Sequence, residues 1–297
     1  MAKVLVFGAN GLLGSSLCPY LYSAGFEVVT AGRSDKLDYT LDLMNVNSLK
    51  QLFDAIKPDH AVNLIAATNV DQCEVDAAMA TKANALIPAA ISSAAASAEC
   101  NIHLVQISTD QVYEGIGNHA EDVVAPVNVY GLSKLTGELM MDKGRTAVLR
   151  TNFYGQSVLS TRPSFSDWAV SSFKEGKDIT LFEDVQFSAI HMSSLCRIIK
   201  ESLTSKLIGT YNVGCRNGIS KADFALALAE ELGLPTTSAK VGKLSGLTLK
   251  ARRPLNMTLN VKKLEAALGI QFPDIRDEIS KTAKEYSNAR STSRIDD

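Results

Sequence analysis

The sequence lacks long hydrophobic runs and an excess of charge of either sign. Of its 297 residues, 46% are hydrophobic and 21% are charged, and the formal net charge is −2. No apolar run approaches the ~18 residues that span a bilayer. The basic excess that is typical of nucleic-acid-binding proteins is also missing. We therefore expect neither a membrane nor a nucleic acid as a partner.

Cysteine and histidine are scarce, and both are scattered along the chain. The five cysteines and four histidines do not recur at the short spacings of metal ligands. An odd number of distant cysteines also does not suit a disulfide framework. We predict no metal site and a reducing, cytoplasmic location. Because Met1-Ala2-Lys3 leads directly into an apolar segment, we also expect no signal peptide.

Short β-branched segments alternate with longer helical segments in the first half of the chain. This alternation predicts an α/β fold, a Rossmann-type doubly wound parallel sheet with helices on both faces. The later half predicts a smaller C-terminal α/β lobe. The predicted strands cover residues 4–7, 27–31, 61–66, 102–107, 147–150 and 179–182. The predicted helices cover residues 12–24, 74–98 (interrupted at Pro88), 129–141, 164–176, 193–202 and 220–232, with a last short one between 260 and 269.

This pattern divides the chain into two parts. Residues 1–155 carry the predicted sheet, and residues 156–297 form the smaller lobe, from which a segment near 179–200 can return to the first part. The polar residues after Tyr286 are typical of a solvated or disordered end.

Three glycines lie between the first predicted strand and the helix that follows it. The spacing of Gly8, Gly11 and Gly14 allows a tight turn, a close approach of phosphates to main-chain N–H groups and close packing of the helix on the strand. A pyrophosphate then lies at a helix N-terminus, where unpaired N–H groups and the dipole favour an anion. Residues 1–155 are therefore a predicted NAD(P)-binding domain. Its predicted cofactor-binding loop comprises Gly8, Asn10, Gly11, Leu12, Leu13 and Gly14.

The end of the second predicted strand bears on the choice between NAD and NADP. An acidic residue there would bond the ribose hydroxyls of NAD. This chain has Gly32-Arg33-Ser34 instead, and Arg33 can pair with the 2′-phosphate of NADP. NADP is the predicted cofactor, and the nearby Asp35 leaves NAD open.

A tyrosine and a lysine four residues apart indicate chemistry at a carbonyl group. Tyr130 and Lys134 share one face of a predicted helix, and Thr109 ends a neighbouring predicted strand. Reduction of a carbonyl needs a hydride on carbon and a proton on oxygen, and a tyrosine donates that proton well if its pKa is lowered. We predict that Lys134 and a nicotinium ring lower the pKa of Tyr130, and that Thr109 binds the carbonyl oxygen.

These motifs resemble those of the extended short-chain dehydrogenase/reductase family, and most closely its branch of dTDP-4-dehydrorhamnose reductases and related sugar-nucleotide-binding proteins. The resemblance covers nearly the whole chain, from the glycine loop through Ser108-Thr109-Asp110 to Arg253-Pro254. It implies a homodimer and a nucleotide-linked sugar as substrate. For the cofactor, the resemblance implies that Asp42 and Leu43 border the adenine and that Ala66, Ala67 and Thr68 line the nicotinamide side. For the reaction, it implies that Thr109, Tyr130 and Lys134 are catalytic and that Lys134 also holds the cofactor. It further implies that Asp110 contacts the sugar.

At two positions this chain departs from the family pattern, and both departures bear on the predicted reaction and substrate contact. Sugar-nucleotide dehydratases of the family carry a glutamate where this chain has Gln111, and an amide cannot act as the base for elimination. The reductases usually have a tryptophan after the Arg150-Thr151 pair, on which the sugar packs, and this chain has none there. We predict that Phe153 takes over this contact, with Tyr154 as the alternative.

The predicted function is an NAD(P)H-dependent, NADP-preferring reductase of a nucleotide-linked 4-keto-6-deoxy sugar. Hydride goes to C4 of the sugar, and Tyr130 protonates the oxygen. Lys134 also binds the nicotinamide ribose. Residues 156–297 bind the substrate, and there Arg252 and Arg253 either hold its diphosphate or form a solvated pair before a turn.

Two alternatives stay open. An epimerase of the same fold would hold its cofactor tightly and regenerate it in each turnover. A non-catalytic regulatory subunit is the second, because the family includes a regulatory partner of methionine adenosyltransferase. The intact set of Thr109, Tyr130 and Lys134 argues against the regulatory function but does not prove turnover.

Overall fold

A parallel sheet dominates the first half of the protein in a computed structural model that describes the backbone of residues 1–292 and the side chains of residues 1–288. The strands are β1 (Lys3–Phe7), β2 (Glu27–Gly32), β3 (Tyr39–Thr40), β4 (His60–Asn63), β5 (His103–Thr109), β6 (Thr146–Thr151), β7 (Phe153–Tyr154), β8 (Ile179–Phe182), β9 (Gln186–Phe187), β10 (Ile190–His191), β11 (Gly209–Val213), β12 (Ile219–Ser220), β13 (Ala239–Gly242) and β14 (Asn256–Met257). The helices are α1 (Gly14–Ser23), α2 (Val46–Ile56), α3 (Val70–Val75), α4 (Ala77–Thr81), α5 (Ile87–Ser97), α6 (Val129–Leu139), α7 (Phe165–Lys174), α8 (Met192–Thr204), α9 (Lys221–Glu231), α10 (Lys262–Leu268) and α11 (Ile275–Thr292), with a π-helical segment at Lys82–Leu86 and a 3-10 turn at Asp110–Val112.

Seven strands of the described chain join in one sheet. Their order is β11-β6-β5-β4-β1-β2-β3, and each neighbouring pair is parallel. The register places Val4 of β1 beside Val28 of β2 and His60 of β4. The direction of winding changes between β1 and β4, and open α/β sheets bind ligands at the carboxyl ends of the strands beside such a switch point. The predicted doubly wound parallel sheet is confirmed.

The two faces of β1 pack against different helices. Val4 and Val6 lie in a hydrophobic core that includes buried residues of α1 and α8. Leu5 and Phe7 lie in a second core, which includes buried residues of α2 and α5. Because both faces of this strand are covered, its sequence is a continuous apolar run.

The predicted helix over residues 74–98 is wrong in its continuity. The chain breaks at Asp76, whose side chain accepts a hydrogen bond from the Met79 N–H at 2.8 Å and so caps α4. The π-helical segment follows α4 and leads into α5. Pro88 lies in the first turn of α5, directly after the π-helical segment. The regular α-helix is thus interrupted just before this proline, as predicted.

A separate hydrophobic core fills the C-terminal part of the chain. Phe187, Phe224 and Ile279 are buried there, from β9, α9 and α11. Helix α7 begins at a capping box in which the Ser164 hydroxyl accepts from the Asp167 N–H and the Asp167 carboxylate accepts from the Ser164 N–H. The predicted smaller lobe thus has its own packed interior.

The chain returns to the first sheet before it completes this lobe. Helix α8 packs against α1, and β11 pairs with β6 from Gly209 beside Ala147 to Val213 beside Thr151. This return extends to Val213, beyond the expected segment near residues 179–200. The division of the chain at residue 155 stays a prediction.

The polar C-terminal segment forms a long helix that the sequence did not lead us to expect. Ile275, Ile279, Ala283 and Tyr286 are buried on one face of α11, against the C-terminal core. The helix continues to Thr292, so the alternative of a disordered end is wrong for residues 287–292. Ser287 and Asn288 are exposed, which agrees with the alternative of a solvated end. Residues 293–297, the rest of that predicted tail, lie outside the described residues.

The sequence led us to expect no membrane span, no metal site and no disulfide framework. Within residues 1–292, no helix combines the length and the apolar character needed to cross a membrane. In the described part of the chain, His, Cys, Asp and Glu side chains form no group of three or more that could hold a metal ion. The cysteines are free thiols.

Candidate active site

A cavity of about 350 Å³ lies at the carboxyl ends of the central strands, and we call it the reaction cavity. Its lining brings together loops and helices that are far apart in sequence. The predicted site residues that line it are Gly8, Gly11, Leu12, Leu13, Gly14, Ala66, Thr68, Thr109, Asp110, Tyr130, Lys134 and Phe153. The predicted dinucleotide loop and the predicted catalytic residues therefore face one space.

The backbone of the glycine loop fits a bound pyrophosphate. Gly8 has a φ of +86°, which favours glycine, and the Gly11 N–H donates to the Gly8 carbonyl at 3.0 Å to close the turn. A Cβ on Gly14 would lie 2.5 Å from the Ala9 carbonyl oxygen, so only glycine lets α1 begin this close to the strand. Gly14 lines the cavity, so the N-terminus of α1 meets it directly.

A second cavity, of about 410 Å³, adjoins the first at the end of β2, and we call it the β2 cavity. Its lining carries two guanidinium groups, from Arg33 and Arg162, and no carboxylate. Asp35 and Asp42 lie outside this lining. Since an acidic residue is the usual ligand of the NAD ribose, the charge of the β2 cavity fits a phosphorylated ribose and hence NADP. The remaining lining residues are Gly8, Asn10, Gly11, Gly32, Ser34, Leu37, Leu43, Leu64, Ile65 and Ala66.

The three predicted catalytic side chains are buried and close together at one edge of the sheet. Tyr130 and Lys134 lie one turn apart on α6, and Thr109 is the last residue of β5. The Thr109 hydroxyl lies close enough to the Tyr130 hydroxyl to lower the pKa of the phenol. The Lys134 ammonium donates to the carbonyl of Ile107 at 2.7 Å, which holds the lysine against β5. The Thr109 hydroxyl also accepts from the Gln111 N–H at 3.2 Å.

Burial sets the ionisation of the tyrosine and the lysine. It raises the pKa of Tyr130 to about 12, the nearby Thr109 hydroxyl lowers that pKa, and the Asp110 carboxylate raises it further. Burial also lowers the pKa of Lys134 to about 8. In the protein without a cofactor the desolvation of the phenol dominates its pKa. The lowering of the Tyr130 pKa by Lys134 together with a nicotinium ring therefore stays a prediction. The tyrosine is therefore held in its protonated form, which is the form that donates a proton.

Asp110 is a buried carboxyl group at the boundary between the two parts of the chain. Burial raises its pKa to about 6, against the effect of the Asn152 amide, which donates to it at 2.8 Å, and of the Lys221 ammonium. Lys221 is the first residue of α9 in the C-terminal lobe, and its Nζ lies 5.3 Å from the centre of the Phe165 ring. A negative group of the first sheet thus faces a positive group of the second lobe beside the site.

A buried ion pair joins helix α6 to the carboxyl ends of β5 and β6. The guanidinium of Arg150 on β6 donates to both carboxylate oxygens of Glu138 on α6, at 2.7 to 3.2 Å. The Ser108 hydroxyl also donates to Glu138, and the Arg150 guanidinium donates to the Tyr113 hydroxyl at 2.7 Å. This network links α6, which carries Tyr130 and Lys134, to the strand that carries Thr109.

Asn84 is a positioning residue that the sequence analysis missed. It lies in the π-helical segment and its side chain accepts from the Ala67 N–H at 2.8 Å and donates to the Ala67 carbonyl at 3.1 Å. It also donates to the hydroxyl of Ser133 on α6 at 3.0 Å. The only sequence signal is a lone asparagine in an alanine-rich segment, which by itself does not distinguish a buried amide from a surface one.

Of the remaining predicted site residues, some line the reaction cavity and others lie outside both cavities. Phe153 lines the reaction cavity, whereas Tyr154 is buried in the C-terminal core against Phe224, with ring centroids 4.5 Å apart. Ala67 lies outside both linings and Asp42 accepts from the Met44 N–H at 3.0 Å. Their roles beside the cofactor stay predictions.

A known protein family matches almost the whole chain. The family model described as the RmlD substrate binding domain matches residues 2–288, which is almost the whole chain. The chain belongs to this family. The family covers both the glycine loop and the C-terminal lobe, so the RmlD match is not limited to the nucleotide-binding half.

Several proteins resemble this RmlD family member along most of their length. A probable low-salt glycan biosynthesis reductase, Agl14 of Haloferax volcanii, is 30% identical over 95% of this chain and 98% of its own. The structure of a dTDP-4-dehydrorhamnose reductase from Bacillus anthracis in complex with NADP has a TM-score of 0.84 at 25% identity, over 96% of this chain and 100% of its own. The methionine adenosyltransferase 2 subunit beta of Pongo abelii is 28% identical over 90% of this chain and 83% of its own.

These relatives test the predicted family, fold, enzyme class and cofactor. They confirm the predicted family, its fold and the class of NAD(P)-dependent oxidoreductases acting on sugar nucleotides. The NADP complex of the Bacillus anthracis relative supports NADP as the cofactor.

Proposed function

We propose that the protein is an NADPH-dependent reductase of a nucleotide-linked 4-keto-6-deoxy sugar. The observation that carries this proposal is the shared lining of the reaction cavity, where the glycine loop meets Thr109, Tyr130 and Lys134. A dinucleotide held by the loop and a carbonyl held at Thr109 would lie in the same space. The reductase names of two relatives support the same reaction.

The chain's own groups have separable tasks in this reaction. The bound cofactor supplies a hydride to C4 of the sugar. Tyr130, kept protonated by burial, donates its hydroxyl proton to the carbonyl oxygen as that oxygen gains negative charge. Thr109 orients the carbonyl through its hydroxyl, and Lys134 stays fixed by the Ile107 carbonyl at the nicotinamide side. With the hydride from bound NADPH and the proton from Tyr130, the ketone would become an alcohol and the cofactor would leave as NADP⁺.

The substrate side of the proposal uses both parts of the chain. Asp110, held by Asn152, suits a hydrogen bond to a sugar hydroxyl, and Phe153 supplies an apolar surface for the ring. Arg253 lines a neighbouring cavity of about 360 Å³ together with Lys221, and its guanidinium is held by Asp71 at 2.9 Å. Two cations in one lining suit the substrate's diphosphate. Arg252 instead pairs with Glu114 at 3.2 Å.

A non-catalytic regulatory subunit is the second candidate function. Its support is the likeness to the methionine adenosyltransferase 2 subunit beta, which covers 90% of this chain. Such a subunit would bind NADP without oxidising it and would form a stable complex with a second enzyme. The buried side chains of Tyr130 and Thr109, which line the reaction cavity together, favour the reductase. A homodimer and a cytoplasmic location stay predictions in either case.

The test of the reductase is the oxidation of NADPH with a panel of nucleotide-linked 4-keto-6-deoxy sugars. We expect consumption with at least one sugar and a ~10²- to 10⁴-fold lower kcat in Tyr130→Phe, because the variant cannot donate the proton. NADPH affinity should stay unchanged, since the variant retains the glycine loop.

The contrary outcomes separate the alternatives. NADPH binding without oxidation of any sugar would contradict the reductase and favour the regulatory subunit. A tightly bound NAD that copurifies and does not exchange would instead favour an epimerase. Unchanged activity of Tyr130→Phe would show that another group donates the proton.

A further inference from the structure

We propose that Arg162 binds the pyrophosphate of the dinucleotide from the side opposite the glycine loop, an inference that rests on the proposed function. Arg162 lies in the segment between β7 and α7 and is far in sequence from the nucleotide-binding motifs. It belongs to the C-terminal half, which the sequence assigns to the substrate.

Arg162 stands at the junction of the two cavities. The residues that line both the β2 cavity and the reaction cavity are Gly8, Gly11, Leu64, Ala66 and Arg162. A dinucleotide that reaches from Arg33 to Tyr130 must pass through this junction. Its central part is the pyrophosphate, which the glycine loop is built to receive. Arg162, the charged residue among these five, therefore lies beside the phosphates rather than beside either nucleoside.

The charge of Arg162 is available for a ligand. Within the described residues its side chain makes no hydrogen bond or ion pair, and it is exposed. Arg33, at the other end of the β2 cavity, is assigned to the 2′-phosphate, and the remaining arginines near the site each have a carboxylate partner: Glu138 for Arg150, Glu114 for Arg252 and Asp71 for Arg253. A guanidinium can bond two phosphate oxygens at once, which adds both energy and geometric fit.

The segment that carries Arg162 is anchored by its backbone. The Arg162 N–H donates to the Leu159 carbonyl at 3.0 Å, and the Ser157 N–H donates to the Asp167 carboxylate at 3.1 Å. At the start of the segment, the Gln156 N–H donates to Glu285 of α11 at 2.8 Å. None of these bonds uses the Arg162 side chain, so its truncation should leave the segment in place.

The test measures the dissociation constants of NADPH and NADH for the wild type and for Arg162→Ala, by titration calorimetry. Loss of a charge-assisted contact to the pyrophosphate should weaken both dinucleotides by the same factor, about tenfold or more. Arg162→Lys should recover part of the loss. Arg33→Ala is the matched comparison, because loss of a contact to the 2′-phosphate should weaken NADPH much more than NADH. Thr161→Ala, next to Arg162, should bind both like the wild type.

Three results would overturn the inference. Equal affinities of the wild type and Arg162→Ala for both dinucleotides would make Arg162 a surface arginine without a ligand. Weakening of NADPH alone would assign it to the 2′-phosphate. Failure of the wild type itself to bind either dinucleotide would overturn the proposed function as well, and so is distinguishable from the first two.

Discussion

The titration of Asp110 shows how a single buried side chain adapts this fold to its site. The carboxyl group is fully buried beside Thr109. The Asn152 amide, the Lys221 ammonium, the Thr109 hydroxyl and the backbone N–H of Asp110 offset only part of the loss of water around its charge. The pKa rises from 3.8 to about 6. A carboxylate kept in such a place is costly for stability, which suggests that it is retained for the substrate.

This raised pKa predicts a pH-dependent stability. Between pH 3.8 and about 6 the folded protein holds a proton that the unfolded chain has released, so the contribution of Asp110 to the free energy of unfolding falls as pH rises through this window. Above it, the charged group costs about 2–4 kcal/mol relative to an unshifted one. Asp110→Asn cannot ionise and should lack this slope in urea unfolding measured at a series of pH values.

A matched control for this prediction is Asp35→Asn, since Asp35 is exposed. The control should retain the slope of the wild type. A slope that Asp110→Asn leaves unchanged would mean that another buried group carries the pH dependence.

At the scale of elements, the π-helical segment and α6 fit against each other at one close contact. Asn84 of the segment bonds Ala67 and Ser133, so it ties the end of β4 to the helix that carries Tyr130. On α6, a Cβ at Gly137 would overlap the backbone carbonyl of Asn84. The helix can approach this closely only because residue 137 has no side chain.

This contact predicts that Gly137→Ala is destabilising. Helix propensity alone would favour alanine by about 1 kcal/mol, but the overlap is with backbone and must displace α6 or the segment. We expect a net loss of about 1–3 kcal/mol in the free energy of urea unfolding, and a lower kcat because Tyr130 and Lys134 move with the helix.

The comparison variant is Gly246→Ala, where no heavy atom lies within 4 Å of the added Cβ. It should change stability by no more than about 0.5 kcal/mol. A Gly137→Ala protein as stable as this control would show that α6 can shift at no cost.

At the scale of the whole molecule, the chain crosses between the sheet and the C-terminal lobe more than once. Strand β11 belongs to the sheet and helix α8 packs against α1, although both follow β8 and β9 of the lobe. Hydrogen bonds also join the parts, from the Asn128 side chain to the Arg252 carbonyl at 2.8 Å and from the His191 N–H to Glu278 of α11 at 2.9 Å. Neither part is a continuous segment with a free surface of its own.

This connectivity predicts a single cooperative unfolding transition. Trp168 is the only tryptophan of the chain and lies on α7 of the C-terminal lobe, stacked on Phe165. The midpoint from its fluorescence should coincide with that from far-UV circular dichroism, which reports the whole chain. An earlier fluorescence transition, reproduced in the presence of NADPH, would instead show that the lobe unfolds independently.

Much of the fold could be predicted because its signals are local. The apolar run of β1, the positions of Gly8 and Gly14, and the spacing of Tyr130 and Lys134 each depend on residues close in sequence. The strand that carries Thr109 and the helix that carries Tyr130 also lie close to their predicted ranges. Long helix α11 was missed because its apolar face is sparse, and its burial depends on a core built by distant elements.

The sequence by itself determined the class of fold, the dinucleotide loop and the types of side chain available for the chemistry, since backbone conformation and helical spacing follow from neighbouring residues. Only the tertiary structure decided that Asn84 holds the site from a π-helical segment, that Arg162 stands at the junction of two cavities, and that burial raises the pKa of Tyr130. These properties depend on which distant groups exclude water and which charges remain unpaired, and such facts exist only once the chain is packed.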